Sequence, residues 1–163
     1  MIIDSNTVEY ELYDGKVGYV RISSFNHTTS DDFIAAMKEL QAQGAICYVF
    51  DVRYNGGGTL DSIQAILDYL LPEGPIIRIH SKDAEEAVLS SDANCIDAPM
   101  AVLMNENTAS AAELFACALR DYNKAMLIGK TTYGKGTMQT MRPLSPEIGG
   151  GALSISTAMY NPP

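Results

Sequence analysis

The chain has 163 residues, 47% of them hydrophobic, which suits one globular domain with a core of its own. Its 20 acidic and 11 basic residues leave a net charge of −9, which argues against nucleic acid or an anionic membrane surface as the main partner. No apolar run approaches the ~20 residues needed to span a bilayer, and Met1 leads into "IIDSNTVEY" without a signal-peptide pattern.

Two strand-like runs, "TVEYELY" and "VGYVRIS", flank Asp14-Gly15, a signal for a tight hairpin. A helix is expected from Thr29 to Gln43, with Phe33, Ala36, Met37 and Leu40 on one face and Gly44 as its stop. The run "AICYVFDV" reads as a strand buried on both faces. The loop "RYNGGGTLD" then leads to a second helix, "SIQAILDYLL", ending before Pro72. A strand, "PIIRIHS", a polar surface excursion from Asp83 to Asp97, and a second fully buried strand, "APMAVLMN", are expected next. A long helix over "TASAAELFACALRDY", a short strand "AMLIG", a glycine-rich loop and two final strands, "TMQTMRPL" and "GALSISTAMY", complete the chain. This alternation implies an α/β fold, with a mainly parallel sheet flanked by helices and an added N-terminal hairpin. Residues 1–163 are read as a single domain, a fragment or minimal core of a longer protein.

The three cysteines show no metal-ligand spacing and no disulfide framework. Cys47 and Cys117 are expected to be buried small hydrophobes. Neither His27 nor His80 has further ligands near it in sequence, so neither points to a metal or catalytic site.

Open α/β sheets place chemistry beyond the carboxyl ends of their strands, which selects three junctions. In "DVRYNGGGTLD", three consecutive glycines allow close backbone approach, and the N–H groups beside them could bind an anion or a developing oxyanion. In "MNENTASAAELFA", Ser110 and Glu113 fit an S-x-x-E capping box. The same serine also stands at the carboxyl edge of a strand, with the Ala111 N–H beside it and small residues around it. Spacing leaves cap and nucleophile both open.

The third junction, "IGKTTYGKGTMQ", spells G-x-x-x-x-G-K from Gly129 to Lys135. As a phosphate loop it fails, because Gly136 replaces the Ser or Thr that would hold Mg²⁺ and a strand-like segment follows instead of a helix. An exposed lysine, with a pKa of ~10.4, is neutral about once in 2,500 at pH 7. A basic role for Lys135 therefore requires its burial, worth roughly 3–5 kcal/mol of environment. Gln139 is close enough in sequence to orient it.

In this order, "GYVRISSF", "DVRYNGGGTLD", "VLMNENTASAAEL" and "GKTTYGKGTMQT" resemble the carboxyl-terminal processing (tail-specific) serine proteases over nearly the whole chain. The resemblance implies a Clp-protease/crotonase-like α/β core. It also implies a serine endopeptidase that cuts peptide bonds near protein C-termini through an acyl-enzyme. By motif, Ser110 matches the nucleophile, Lys135 the general base and Gln139 the residue that orients it. The N–H groups of Gly57 and Ala111 match the oxyanion hole. No metal or cofactor is implied. The expected partner is a protein or peptide with an accessible C-terminus, and a membrane would be engaged only through an anchor outside this chain; oligomeric state is left open. Family members are exported or membrane-anchored and commonly carry a PDZ domain. No PDZ-like segment is found here, and the family's continuation past the last strand is absent, which puts regulated activity in doubt, and the isolated core is expected to be weakly active or inactive. A non-catalytic peptide-binding or scaffold module is the alternative. A crotonase-type thioester enzyme would need a pantetheine and adenine site that nothing in the sequence marks.

Overall fold

A computed structural model describes residues 6–82 and 84–163. Strands β1 (Val8–Tyr13) and β2 (Val17–Ile22) pair antiparallel from Val8↔Ile22 to Tyr13↔Val17. Asp14, Gly15 and Lys16 connect them, with positive φ at Asp14 (49°) and Gly15 (65°) and the Lys16 N–H closing the turn on the Tyr13 carbonyl at 3.0 Å. Helix α1 (Thr29–Ala42) buries Phe33, Ala36, Met37 and Leu40 on the face set by its periodicity. Strand β3 (Cys47–Asp51), helix α2 (Leu60–Leu70), β4 (Gly74–Ser81), β5 (Ala87–Ser91) and β6 (Met100–Met104) follow. Helix α3 (Ala111–Asp121), β7 (Ala125–Gly129), β8 (Thr137–Pro143), a short 3₁₀ turn (Pro146–Ile148) and β9 (Ala152–Asn161) complete the order.

The strands form two sheets. One runs β1-β2-β3-β6-β7, parallel except for the β1/β2 hairpin. The other runs β5-β4-β9-β8 and is antiparallel throughout. The single, mainly parallel sheet read from the sequence is corrected here: β4, β8 and β9 do not join β3 and β6. Within the span expected to be a surface excursion, Ala87–Ser91 forms β5 and zips onto β4; Asp83 lies outside the described residues.

The helices pack on the sheet face that carries Val20, Phe50 and Val102, all fully buried. Phe50 is central there, with ring centroids 5.6 Å from Phe33 of α1 and 5.5 Å from Phe115 of α3. On the other face Val49, Ala101 and Leu103 are only half-buried. The expectation that β3 and β6 are buried on both faces therefore fails, because no helix among the described residues covers the second one. On that face Asp51, itself buried, is held by Arg53 at 2.6 Å and accepts the Tyr19 hydroxyl at 2.7 Å. Among the described residues no helix is long and apolar enough to cross a membrane.

Candidate active site

Strands β3, β6 and β7 run parallel, so the loops that leave their carboxyl ends gather at one edge of the sheet. After β6, the Thr108 hydroxyl donates to the Val52 carbonyl (2.9 Å) and accepts the Asn105 N–H (3.0 Å), tying this loop to the end of β3. Ser110 comes next, with φ 57° and ψ −121°. Such a conformation is costly for a residue with a Cβ and persists only where the surroundings enforce it. Here Glu113 Oε2 accepts the Ser110 N–H at 2.7 Å, and the Ser110 carbonyl accepts the N–H groups of Glu113 (2.9 Å) and Leu114 (3.0 Å). The helix start is thus closed by the Ser110 carbonyl and by the S-x-x-E capping box, in which the Glu113 carboxylate takes the N-cap N–H.

The glycine run is pinned by Asn55, which is fully buried. Its Nδ2 donates to the Ile22 carbonyl (2.9 Å), its Oδ1 accepts the Gly57 N–H (2.8 Å), and its carbonyl accepts the Ala109 N–H (2.9 Å). At Gly57 (φ 101°) a Cβ would stand 2.8 Å from Ser110 Cβ and 3.0 Å from the Ala111 nitrogen, so only glycine lets the two loops meet. Gly57 was expected to supply an oxyanion-hole N–H. That group donates to Asn55 Oδ1. Gly58 bridges Phe25, through Phe25 N–H to the Gly57 carbonyl (3.0 Å) and Thr59 N–H to the Phe25 carbonyl (2.7 Å). Its own N–H has no acceptor among the described residues, and neither has that of Ala111.

The third loop, after β7, carries Lys135. The N–H groups of Gly134 and Lys135 donate to Glu113, at Oε1 (2.6 Å) and Oε2 (2.9 Å). The amides that a phosphate would need are therefore already spent on a carboxylate. Lys135 Nζ donates to Gln139 Oε1 at 3.2 Å. Lys135 is half-buried and Gln139, on β8, is exposed. The full burial expected of Lys135 is not found, because the β8/β9 ribbon beside it is largely open to solvent.

Gly58, Ser110, Ala111, Lys135, Gln139 and Tyr160 all line one cavity of about 500 Å³. Leu60, Ile63, Leu114, Met138 and Met141 supply apolar wall. Five groups, namely a hydroxyl, an amine, its amide partner and two unspent N–H groups, thus share one concave site with room for an acyl chain.

The sequence reading missed Asn55 and Tyr160, and saw Glu113 only as a cap. The asparagine before the glycines was a weak cue for Asn55, and nothing marked Tyr160 within its strand. Its phenol donates to the Lys135 carbonyl, and its N–H to the Gly136 carbonyl at 3.2 Å. Burial raises the phenol's pKa, outweighing a lowering by the Ser110 hydroxyl. Cys47 and Cys117 are half-buried rather than enclosed, since Cys47 opens its strand and Cys117 lies on the flank of α3; burial still raises the Cys117 thiol. His27 and His80 are exposed and line no part of the cavity.

The profile of Peptidase family S41 matches residues 16–163. The chain is 34% identical to a carboxyl-terminal-processing protease of Synechocystis sp. over 99% of its own length and 38% of that protein's. It is 36% identical to a carboxy-terminal-processing protease of Bartonella bacilliformis, again over 99% of this chain and 38% of the relative. The solved structure of a photosystem II D1 C-terminal processing protease superposes with a TM-score of 0.83 at 31% identity, covering 98% of this chain and 45% of that one. The chain belongs to peptidase family S41, a family of proteases with a mixed α/β fold. It spans well under half the length of the curated relatives it matches.

Proposed function

We propose that residues 1–163 form the catalytic core of a serine endopeptidase that cuts protein chains near their C-termini. Bound substrate completes the burial of Lys135, which then, as the free amine, takes the Ser110 proton while Oγ bonds to the carbonyl carbon of the scissile peptide. The C=O electron pair moves to oxygen, where the N–H groups of Ala111 and Gly58 receive the negative charge. Collapse of this intermediate breaks the C–N bond, and the departing amine takes the proton back from Lys135. Water then enters, Lys135 accepts its proton, and the acyl-enzyme is released as a carboxylic acid with Ser110 restored. Gln139 keeps the Lys135 amine directed, through the 3.2 Å contact.

The observation that carries this reading is the convergence of Ser110, Lys135, Gln139 and two unspent N–H groups on one cavity in a chain of protease lineage. The architecture is read as Clp-protease/crotonase-like. By family resemblance the substrate is a protein or peptide with an accessible C-terminus, and the setting extracytoplasmic, reached by export or an anchor.

Ser110→Ala and Lys135→Ala are each expected to abolish cleavage of an unfolded protein while leaving the folded chain intact by circular dichroism. Undiminished turnover in either variant overturns the assignment.

A further inference from the structure

Lys135 stands between Gly134 and Gly136 on a loop with no regular structure. Reacting groups must be held within ~0.5 Å of productive geometry, and two glycines give that loop no stiffness of its own. The Tyr133 N–H ties its start to the Thr108 carbonyl (3.0 Å), and residues 134–136 are held by two residues on other elements.

Glu113 lies on α3 and is 7% exposed. It has no cationic partner among the described residues. Its charge is compensated instead by three N–H groups: Ser110 (2.7 Å), Gly134 (2.6 Å) and Lys135 (2.9 Å). A helix cap needs only the first of these. The other two come from the separate loop that carries the lysine, so one buried carboxylate joins the backbone of Ser110 to that of Lys135. From the carbonyl side, Tyr160 of β9 holds the same loop, its phenol on the Lys135 carbonyl and its N–H on the Gly136 carbonyl. Burial keeps this phenol protonated and able to donate.

We propose that Glu113 and Tyr160 are positioning residues, a two-sided clamp on residues 134–136 that sets where Lys135 stands relative to Ser110. This rests on the Ser–Lys reading above for its catalytic consequence, but not for its structural one.

The test compares the wild-type chain with Glu113→Gln, which keeps size but turns an acceptor into a donor, and Tyr160→Phe, which removes one hydroxyl and keeps the ring. A fluorophosphonate probe reads Ser110 directly. In Glu113→Gln the limiting rate of Ser110 phosphonylation is expected to fall about 100-fold, the scale of a ~1 Å misplacement. In Tyr160→Phe it falls severalfold, and the half-saturating probe concentration is unchanged in both. Amide hydrogen exchange supplies a readout free of activity. In Glu113→Gln the amides of Gly134 and Lys135 exchange about tenfold faster or more, a loss of roughly 1.4 kcal/mol of protection, while those of β3 keep their wild-type rates. Unchanged exchange at Gly134 and Lys135 overturns the clamp. So does an unchanged limiting rate in both variants of a chain whose wild type is labelled. A wild-type chain that is not labelled at Ser110 overturns the Ser–Lys reading instead, and the exchange result alone then decides the clamp.

Discussion

Ser110 is held in a left-handed conformation by neighbours that leave it little choice. The Gly57 backbone packs against it where a Cβ would come within 2.8 Å of its own Cβ, and Asn55 locks that glycine in place through its N–H. Gly57→Ala is therefore expected to push Ser110 out of line, lowering its rate of phosphonylation at least tenfold by the misplacement argument, with a smaller change in the half-saturating probe concentration. Stopped labelling assays on the two proteins check this; equal rates would show that the loops yield without moving Ser110. The Asn55 bond is also the reason the oxyanion role is proposed for Gly58, whose N–H has no acceptor among the described residues. Motif matching placed the role within "NGGG" but could not say which amide was already engaged. That depends on the Asn55 side chain, whose orientation is fixed by the Ile22 carbonyl far away in sequence.

At the level of elements, hairpin β1/β2 and helix α1 were readable because their cues are local: Asp14-Gly15 at the turn, and apolar spacing that ends at Gly44. Strands β4, β8 and β9 were readable as strands but not as a separate sheet, since periodicity marks extended chain and says nothing about its partner. The end of β3 carries a titratable contact of its own. Burial raises the Asp51 carboxyl, but hydrogen bonds from Arg53 and Tyr19 outweigh it and hold its pKa below the ordinary 3.8. A carboxyl lowered by folding contributes stability above its unfolded pKa and loses it as pH falls through the folded value. Asp51→Asn is accordingly expected to be less stable than wild type at neutral pH, with the two unfolding free energies converging below about pH 4. Urea titrations at several pH values measure the difference. A gap that stays constant into acid would exclude this contribution.

Over the whole molecule, the site spans two structural units. Ser110, Ala111 and Gly58 belong to the parallel sheet and its packed helices, whereas Lys135 and Gln139 belong to the β7–β8 loop and the open ribbon β8/β9. The first unit is closely packed about Phe50, and the second exposes most of its residues. Amide exchange is expected to be slowest in β3 and β6, each flanked by strands on both sides, and fastest along β8, which edges its sheet. Comparable protection in β8 and β3 would overturn this ranking.

The sequence by itself determined the residue types and their order: a serine at a strand-to-helix junction, a glycine-flanked lysine, and a glycine run after an apolar strand. These are local features, and their resemblance to a protease family follows from order alone. Only the tertiary structure decided which amide remains unspent, that strands separate into two sheets, and that Glu113 and Tyr160 meet the lysine loop. Those facts rest on contacts between residues distant in the chain, which no local pattern encodes.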